Sequence, residues 1–375
     1  MNRMNLGLFY EACAAPDCRR RGKDLFKCGA CLLVHYCGPE HQRAHRPAHK
    51  TSCLLVKQAR AAAAEAEAEL RARPGDDYAP AGVLDESGGA LGLFWGRFPA
   101  TRPYMQALHD HMTACLNLRT GEAVEAALAR ALEMLRLCRG DNLGVRSQVP
   151  VLYLRLGRDQ EAFDFLKWYA VKGTSADYDW SDMSQPFLDL TGEDALEDLS
   201  KPFRKVKDLS FLASVTLVKT RLMLDLVALS AHVDEMEKKK AEGGEEAKAE
   251  GGGDGDDRPT KLSYEEKMEW VREEALSDIV LARRDIVDRD DYAPLIQDVT
   301  GQVARLYQLT EHHNKHYWPA LGHPENYSHA LPEAYTWGSK QETVLAFRQT
   351  WYAWAECNPA LETVRQFAEW TSNAS

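Results

Sequence analysis

No apolar run in this chain of 375 residues approaches the roughly 20 residues a helix needs to cross a bilayer. No segment sustains the alternation of a half-buried strand, so β structure is expected only in short pieces. The chain also lacks a nucleophile elbow of the form G-x-S-x-G, a phosphate-binding loop and an H-E-x-x-H pair. Glycines at 251–255 follow no strand and predict no nucleotide site. No enzyme, cofactor-dependent chemistry or small-molecule substrate is expected from these absences. Cysteine is scarce beyond the first sixty residues, where only Cys115, Cys138 and Cys357 occur. Each lies in an apolar helical context that predicts a buried, inert thiol. The first residues hold one arginine and a short apolar stretch broken by Glu11. No signal peptide is expected, and the protein is read as intracellular, in nucleus or cytoplasm, with reduced thiols.

Lys and Arg number 46 against 57 Asp and Glu, a formal charge of −11, which weighs against whole-chain binding to nucleic acid or an anionic membrane. The charge is uneven. Residues 1–60 hold 11 basic and 4 acidic side chains, a net of +7, which leaves −18 for the rest. A small basic head on an acidic body predicts two different jobs. The composition, 45% hydrophobic and 27% charged, is that of an ordinary globular protein. Its length predicts two units, or one unit with an elongated array.

Six of the nine cysteines fall in the head, at 13, 18, 28, 31, 37 and 53. With two histidines they read C-x4-C-x9-C-x2-C-x5-C-x3-H-x7-H-x3-C. Cys13, Cys18, Cys28, Cys31, Cys37, His41, His49 and Cys53 thus supply eight ligands in four pairs, enough for two tetrahedral Zn²⁺ sites. Thiolate and imidazole favour zinc over calcium or magnesium. Cys28-Gly-Ala-Cys31 reads as a tight turn in which Gly29 relieves backbone strain. Ala-Ala-Pro-Asp between Cys13 and Cys18 reads as a turn spacer. Cys37 with His41, and His49 with Cys53, are four apart and can share one helical face. Pro39 is expected to open one helix and Pro47 a second. The head has few large apolar residues, so metal binding must supply much of its folding free energy. Four protein ligands close a zinc site, which argues for a structural rather than a catalytic ion. His35 reads as an exposed residue. His45 could compete as a ligand. The run Arg19-Arg20-Arg21-Gly22-Lys23 reads as a solvated loop.

The stretch from Tyr36 to Cys53, Y-C-x3-H-Q-x2-H-x3-H-K-x2-C, resembles the MYND zinc finger, as do the C-x4-C and C-x2-C pairs before it. The resemblance implies two interleaved structural zinc ions. One would take Cys13, Cys18, Cys37 and His41, the other Cys28, Cys31, His49 and Cys53. It also implies that His45 is a packing or surface residue, and that the finger has a surface that binds a peptide of a partner protein. Position 41 is usually Cys in the family and is His here. Some members grip PxLxP peptides with a Trp and the neighbouring Gln. This chain keeps Gln42 and has Arg46 in place of the Trp, so that peptide mode does not carry over on the resemblance alone. A MYND finger also occurs in SET-domain lysine methyltransferases, whose Gly-rich and Asn-His motifs are absent here.

Beyond the finger (10–57), a helix and linker are expected over 58–99, then an all-α, repeat-like body over 100–375. An Ala-rich helix should end at Pro74-Gly75, before turn-rich sequence at 74–92. Helical periodicity predicts elements near 122–138, 144–156, 158–171, 211–233, 263–289, 293–310, 340–356 and 359–371. Residues 154–162 resemble the joint of a tetratricopeptide helix pair, although no clean thirty-four-residue period recurs. Residues 172–202 read as irregular, with Trp180, Phe187 and Leu188 as a hydrophobic anchor. Residues 236–261 hold six Gly and eight acidic side chains and no aromatic, so a disordered loop is expected over 236–262. His312-His313-Asn314-Lys315-His316 could pair His312 with His316 on a metal, but histidines at a helix end more often cap or pack. The order of elements, with Asp141–Arg146 and Phe165–Tyr169, resembles a group of MYND proteins of filamentous and mushroom-forming fungi, which implies architecture rather than activity.

The leading expectation is a zinc-binding adaptor that joins proteins through its finger and its helical body, in transcriptional or other regulation. One alternative is a nucleic-acid-binding regulator using the basic head, disfavoured by the acidic body. The other is an unrecognised enzyme with its site near His312–Trp318.

Overall fold

The computed structural model describes residues 12–22, 24–85, 90–250, 261–327, 332 and 334–373. Among them lie fourteen α-helices and a single two-stranded sheet. The fold is therefore a zinc finger at the amino-terminal end followed by a helical body, as the periodicity predicts. Contacts divide the chain into two compact units, Gly7–Leu156 with Asp164–Thr191, and Gly157–Phe163 with Gly192–Ser375. In this division the finger shares a unit with the first helices.

In the first unit, β1 (Phe26–Lys27) and β2 (His35–Tyr36) pair antiparallel, with Phe26 opposite Tyr36. Helix α1 (Pro39–Ala72) follows, then α2 (Arg102–Leu116), α3 (Gly121–Leu137) and α4 (Val149–Arg155). Pro39 sits in the first turn of α1, as expected, but Pro47 lies inside the helix and opens no second one. An interior proline costs about 3 kcal/mol through its missing N–H. Here α1 carries ligands on both sides of Pro47 and packs along α2, and these constraints hold it helical. Helix α2 in turn packs on α3, and Leu70, Tyr104, Leu108, Met112, Val124 and Leu128 form the buried seam.

Among the described residues, the linker packs onto the helices beside it. Ala79, Val83, Ala90 and Phe94 are buried, and Phe94 N–H donates to the Leu137 carbonyl at 3.0 Å. Gly75 has φ 92°, where a Cβ would meet the Ala81 nitrogen at 2.6 Å, so only glycine fits this turn. The anchor expected at 172–202 takes definite form in residues 174–191. Trp168 makes edge contacts with Tyr178, Trp180 and Phe187, and its Nε1 donates to Asp189 at 2.9 Å. Arg139 lies over Phe187 and donates to the carbonyls of Met183 and Gln185.

The second unit is built on α7 (Leu209–Glu250). It also holds α6 (Ser200–Phe203), α8 (Tyr264–Glu274), α9 (Asp278–Ala282), α10 (Arg284–Val287), α11 (Ala293–His313), α12 (Tyr317–Gly322), α13 (Lys340–Ala355) and α14 (Asn358–Asn373). Helix α5 (Asp159–Trp168) begins in this unit. From Ser210 to Met223, α7 is buried on every face, and along its length it meets α11, α13, α14, α8 and α9. The disordered loop expected over 236–262 is instead helix as far as Glu250. Lys, Glu and Ala are strong helix formers, and Lys239–Glu235 and Lys238–Glu242 pair one turn apart. Leu262 is buried again, and residues 251–260 lie outside the described residues.

The turn between α4 and α5 has Gly157 at φ 68°, a left-handed position that favours glycine, and Ala162 is fully buried. Among the described residues no helix is long and apolar enough to cross a membrane.

Candidate metal centre

Four local devices bring the eight ligands together. The spacer after Cys13 closes as a turn, with Asp17 at φ 63° and Cys18 N–H donating to the Ala15 carbonyl. The 28–34 segment is a tight loop in which Cys28 and Val34 are linked by a 2.8 Å hydrogen bond. Its left-handed residue is Leu32, at φ 66°, whereas Gly29 has no positive φ, so the strain falls on a different residue from the one expected. Cys37 precedes α1, whose first turn carries His41. His49 and Cys53 lie on the buried side of the same helix.

The ligand atoms gather in two groups, Cys13, Cys18, Cys37 and His41, and Cys28, Cys31, His49 and Cys53. Within each, the four atoms lie within 4.8 Å of one another. These are the two interleaved sets that the resemblance implies. The separations fit zinc. Bond lengths near 2.3 Å to sulfur and 2.05 Å to nitrogen place tetrahedral neighbours about 3.8 Å apart for two sulfurs and about 3.6 Å for sulfur and nitrogen. The structure has Cys18–Cys37 at 3.8 Å, Cys28–Cys53 at 3.7 Å, Cys31–His49 Nε2 at 3.5 Å and Cys13–His41 Nδ1 at 3.4 Å. Cys37–His41 Nδ1 is tighter, at 2.9 Å. Two structural zinc ions fit these clusters, each cross-linking the start of the chain to α1.

The thiols of the second cluster need a cation to ionise together. Burial, then the neighbouring Cys28 and Cys53 thiolates, push Cys31 up to about 12. Burial and a Cys28 contact raise Cys53 as well. In the first cluster, burial alone would raise Cys13, but the backbone N–H groups of Ala15 and Cys37 and the His41 ring bring it down to about 7. A divalent ion compensates the adjacent negative charges and makes each site favourable.

Around the ligands lies a second layer. Tyr36, fully buried, makes a 3.0 Å hydrogen bond with His45 Nδ1, and the His45 ring stacks on His49 at 5.4 Å. This is the packing role expected of His45. His35 is not exposed as expected. It is buried, and its Nδ1 lies 3.2 Å from Glu122 of α3. Three further bonds fix the loop bearing Cys28 and Cys31. Arg60 donates to the carbonyls of Ala30 and Cys31 at 2.8 and 3.1 Å, and Thr120 Oγ1 donates to Leu33 at 2.6 Å. No sequence motif points to Arg60, Thr120 or Glu122, since each meets the finger across a long stretch of chain.

The remaining candidates separate from these sites. Cys115, Cys138 and Cys357 are buried and belong to neither cluster, and burial raises Cys115 to about 11. His312 and His316 join no metal-like group among the described residues. His313 Nε2 lies 3.0 Å from Glu342, whose carboxylate also accepts from Asn314 and Gly338. Trp318 stacks on Tyr307 at 4.8 Å, and the Tyr317 hydroxyl meets Thr350, so this segment packs. Gln42 is half-buried and Arg46 exposed on α1.

Comparison with known families agrees with this geometry. Residues 13–53 match the family described as MYND finger. No curated protein and no solved structure matches the chain.

Proposed function

We propose that this protein is a zinc-dependent adaptor whose finger binds a peptide of a partner protein and whose helical body offers a second binding surface. MYND fingers commonly mediate protein interactions, and residues 13–53 are such a finger. One observation carries the reading: each cluster supplies four protein ligands, which leaves no open position for a substrate or an activated water. The zinc ions then act as folding cross-links, and what the finger offers is its surface. The left-handed turn at Gly157 between α4 and α5, where the sequence resembles a tetratricopeptide joint, supports a repeat-like body. We place the protein inside the cell, in nucleus or cytoplasm, in a regulatory rather than catalytic role.

Affinity purification of the full-length chain from its native cell tests this, beside a Cys28→Ser, Cys31→Ser variant. The expected result is a set of partners lost with the second zinc site. Equal recovery from both proteins removes the finger from the binding role. Titration with duplex DNA at two salt concentrations separates the nucleic-acid reading, because phosphate contacts give a steep salt dependence.

A further inference from the structure

The helix that carries His41, His49 and Cys53 runs on for about five turns past its last ligand. From His41 to Ala64 it has no acidic residue, yet it presents Arg43, Arg46, Lys50 and Lys57, all exposed. At 100° per residue these four fall within about 60° of one another, a single basic stripe. Leu54, 38% exposed, borders the stripe. Beyond it, α1 and α2 enclose a groove of about 550 Å³, lined by Leu55, Ala59 and Ala62 on one wall and Pro103, Ala107 and Ala114 on the other. Leu55 is 45% exposed there. Asp110 also lines the groove, and it is engaged by Gln106 Nε2 at 2.9 Å.

Exposed leucines beside an apolar groove are costly in water unless something covers them. The adjoining positive charge, which no acidic side chain pairs among the described residues, says what kind of occupant does so. We propose that the groove and the stripe form one docking surface for an acidic peptide segment of a partner protein. Its bulky apolar side chains enter the groove against Leu55, and its carboxylates face Arg43, Arg46, Lys50 and Lys57. Nucleic acid would use the positive charge but not the apolar walls, and the groove lining offers no aromatic platform for bases. This proposal rests on the adaptor reading and adds the chemical class of the ligand. Because α1 also supplies ligands to both clusters, zinc binding sets the helix that bears this surface.

Short random peptides displayed on phage, selected against the zinc-loaded full-length protein, test the proposal. The enriched consensus is then synthesised with a fluorescein label and titrated by anisotropy. The expected consensus combines Asp or Glu with Leu, Ile or Phe. Leu55→Glu, and separately Lys50→Glu with Lys57→Glu, should each raise Kd at least about tenfold. Lys201→Glu, in the second unit, should leave it unchanged. Both docking variants replace exposed residues, and circular dichroism and zinc content confirm that they fold. A consensus without acidic residues, an affinity indifferent to Leu55→Glu, no enrichment at all, or stronger binding to an oligonucleotide than to any selected peptide overturns the proposal. If the docking variants still recover every cellular partner while the Cys28→Ser, Cys31→Ser protein recovers none, the adaptor reading stands and the groove falls.

Discussion

At the scale of single residues, the ligands are legible because coordination fixes residue type and spacing together. Eight Cys and His side chains rarely fall at finger spacing unless a metal selects them, and all eight converge in two clusters. Replacing Cys31 by Ser removes one thiolate from the buried cluster. Native mass spectrometry should then find one tightly held zinc ion in place of two, and two retained ions would contradict the assignment. His35 escapes a sequence reading because a lone histidine in a loop carries no mark of its partner, and Glu122 lies far along the chain. The same blindness hides a buried pair in the second unit. Arg221 Nη2 lies 3.2 Å from Asp159, both inaccessible to solvent, and Arg221 also donates to the Leu276 carbonyl. In the sequence Arg221 is only a charge in an apolar helix. Asp159→Ala would strand the guanidinium in the core, and removing one partner of such a pair costs about 3–5 kcal/mol. Urea unfolding should show that loss, and a change under about 1 kcal/mol would mean that water already reaches the site.

Individual helices are legible to different degrees, and the differences have physical causes. Helices α3, α11 and α13 fall near their expected bounds because one apolar stripe sets their period. Helix α1 is expected to break at Pro47 because a local rule sees a helix breaker, whereas metal ligation and contact with α2 decide the outcome. Helix α7 outruns its expected end because Lys, Glu and Ala are strong helix formers and charged pairs one turn apart extend it. The joint between finger and helix makes a prediction of its own. Arg60 spans from α1 to the carbonyls of Ala30 and Cys31, so it ties the metal-bearing loop to the helix that follows. A bond from a charged donor contributes about 1.5–3 kcal/mol when buried, and less at this half-buried side chain. Arg60→Ala should lower stability by about 1–2 kcal/mol and speed zinc loss to a chelator. An unchanged rate of loss would show that the loop holds itself.

At the scale of the whole molecule, length allows for two units, but the division between them is not placed by the sequence, because it depends on which helices touch rather than on where they begin. Its consequence is that zinc acts on one unit. Chelation should remove helical signal from the finger-bearing unit, while the unit built on α7 keeps a cooperative unfolding transition. Complete loss of helicity would show that the units do not stand apart. The second unit carries a separate dependence on pH. Lys219 is fully buried on α7, and its Nζ donates to the carbonyls of Ala195 and Glu197 at 2.6 Å each. Burial drives this amine down to about 7, although the carboxylates of Asp198 and Asp194 pull the other way. A neutral amine keeps two N–H groups, enough for both carbonyls. In the unfolded chain the same lysine titrates near 10.5. Between those values the unfolded state holds a proton that the folded state has released, so folding gains stability as pH rises. The contribution is complete above the unfolded value and is lost as pH falls through 7. Other groups titrate in this range, so the comparison is with Lys219→Met, which removes only this ionisation. From about pH 7 to about pH 10 the wild-type protein should gain stability relative to Lys219→Met in urea titrations. A constant difference would mean that Lys219 stays charged inside the helical core.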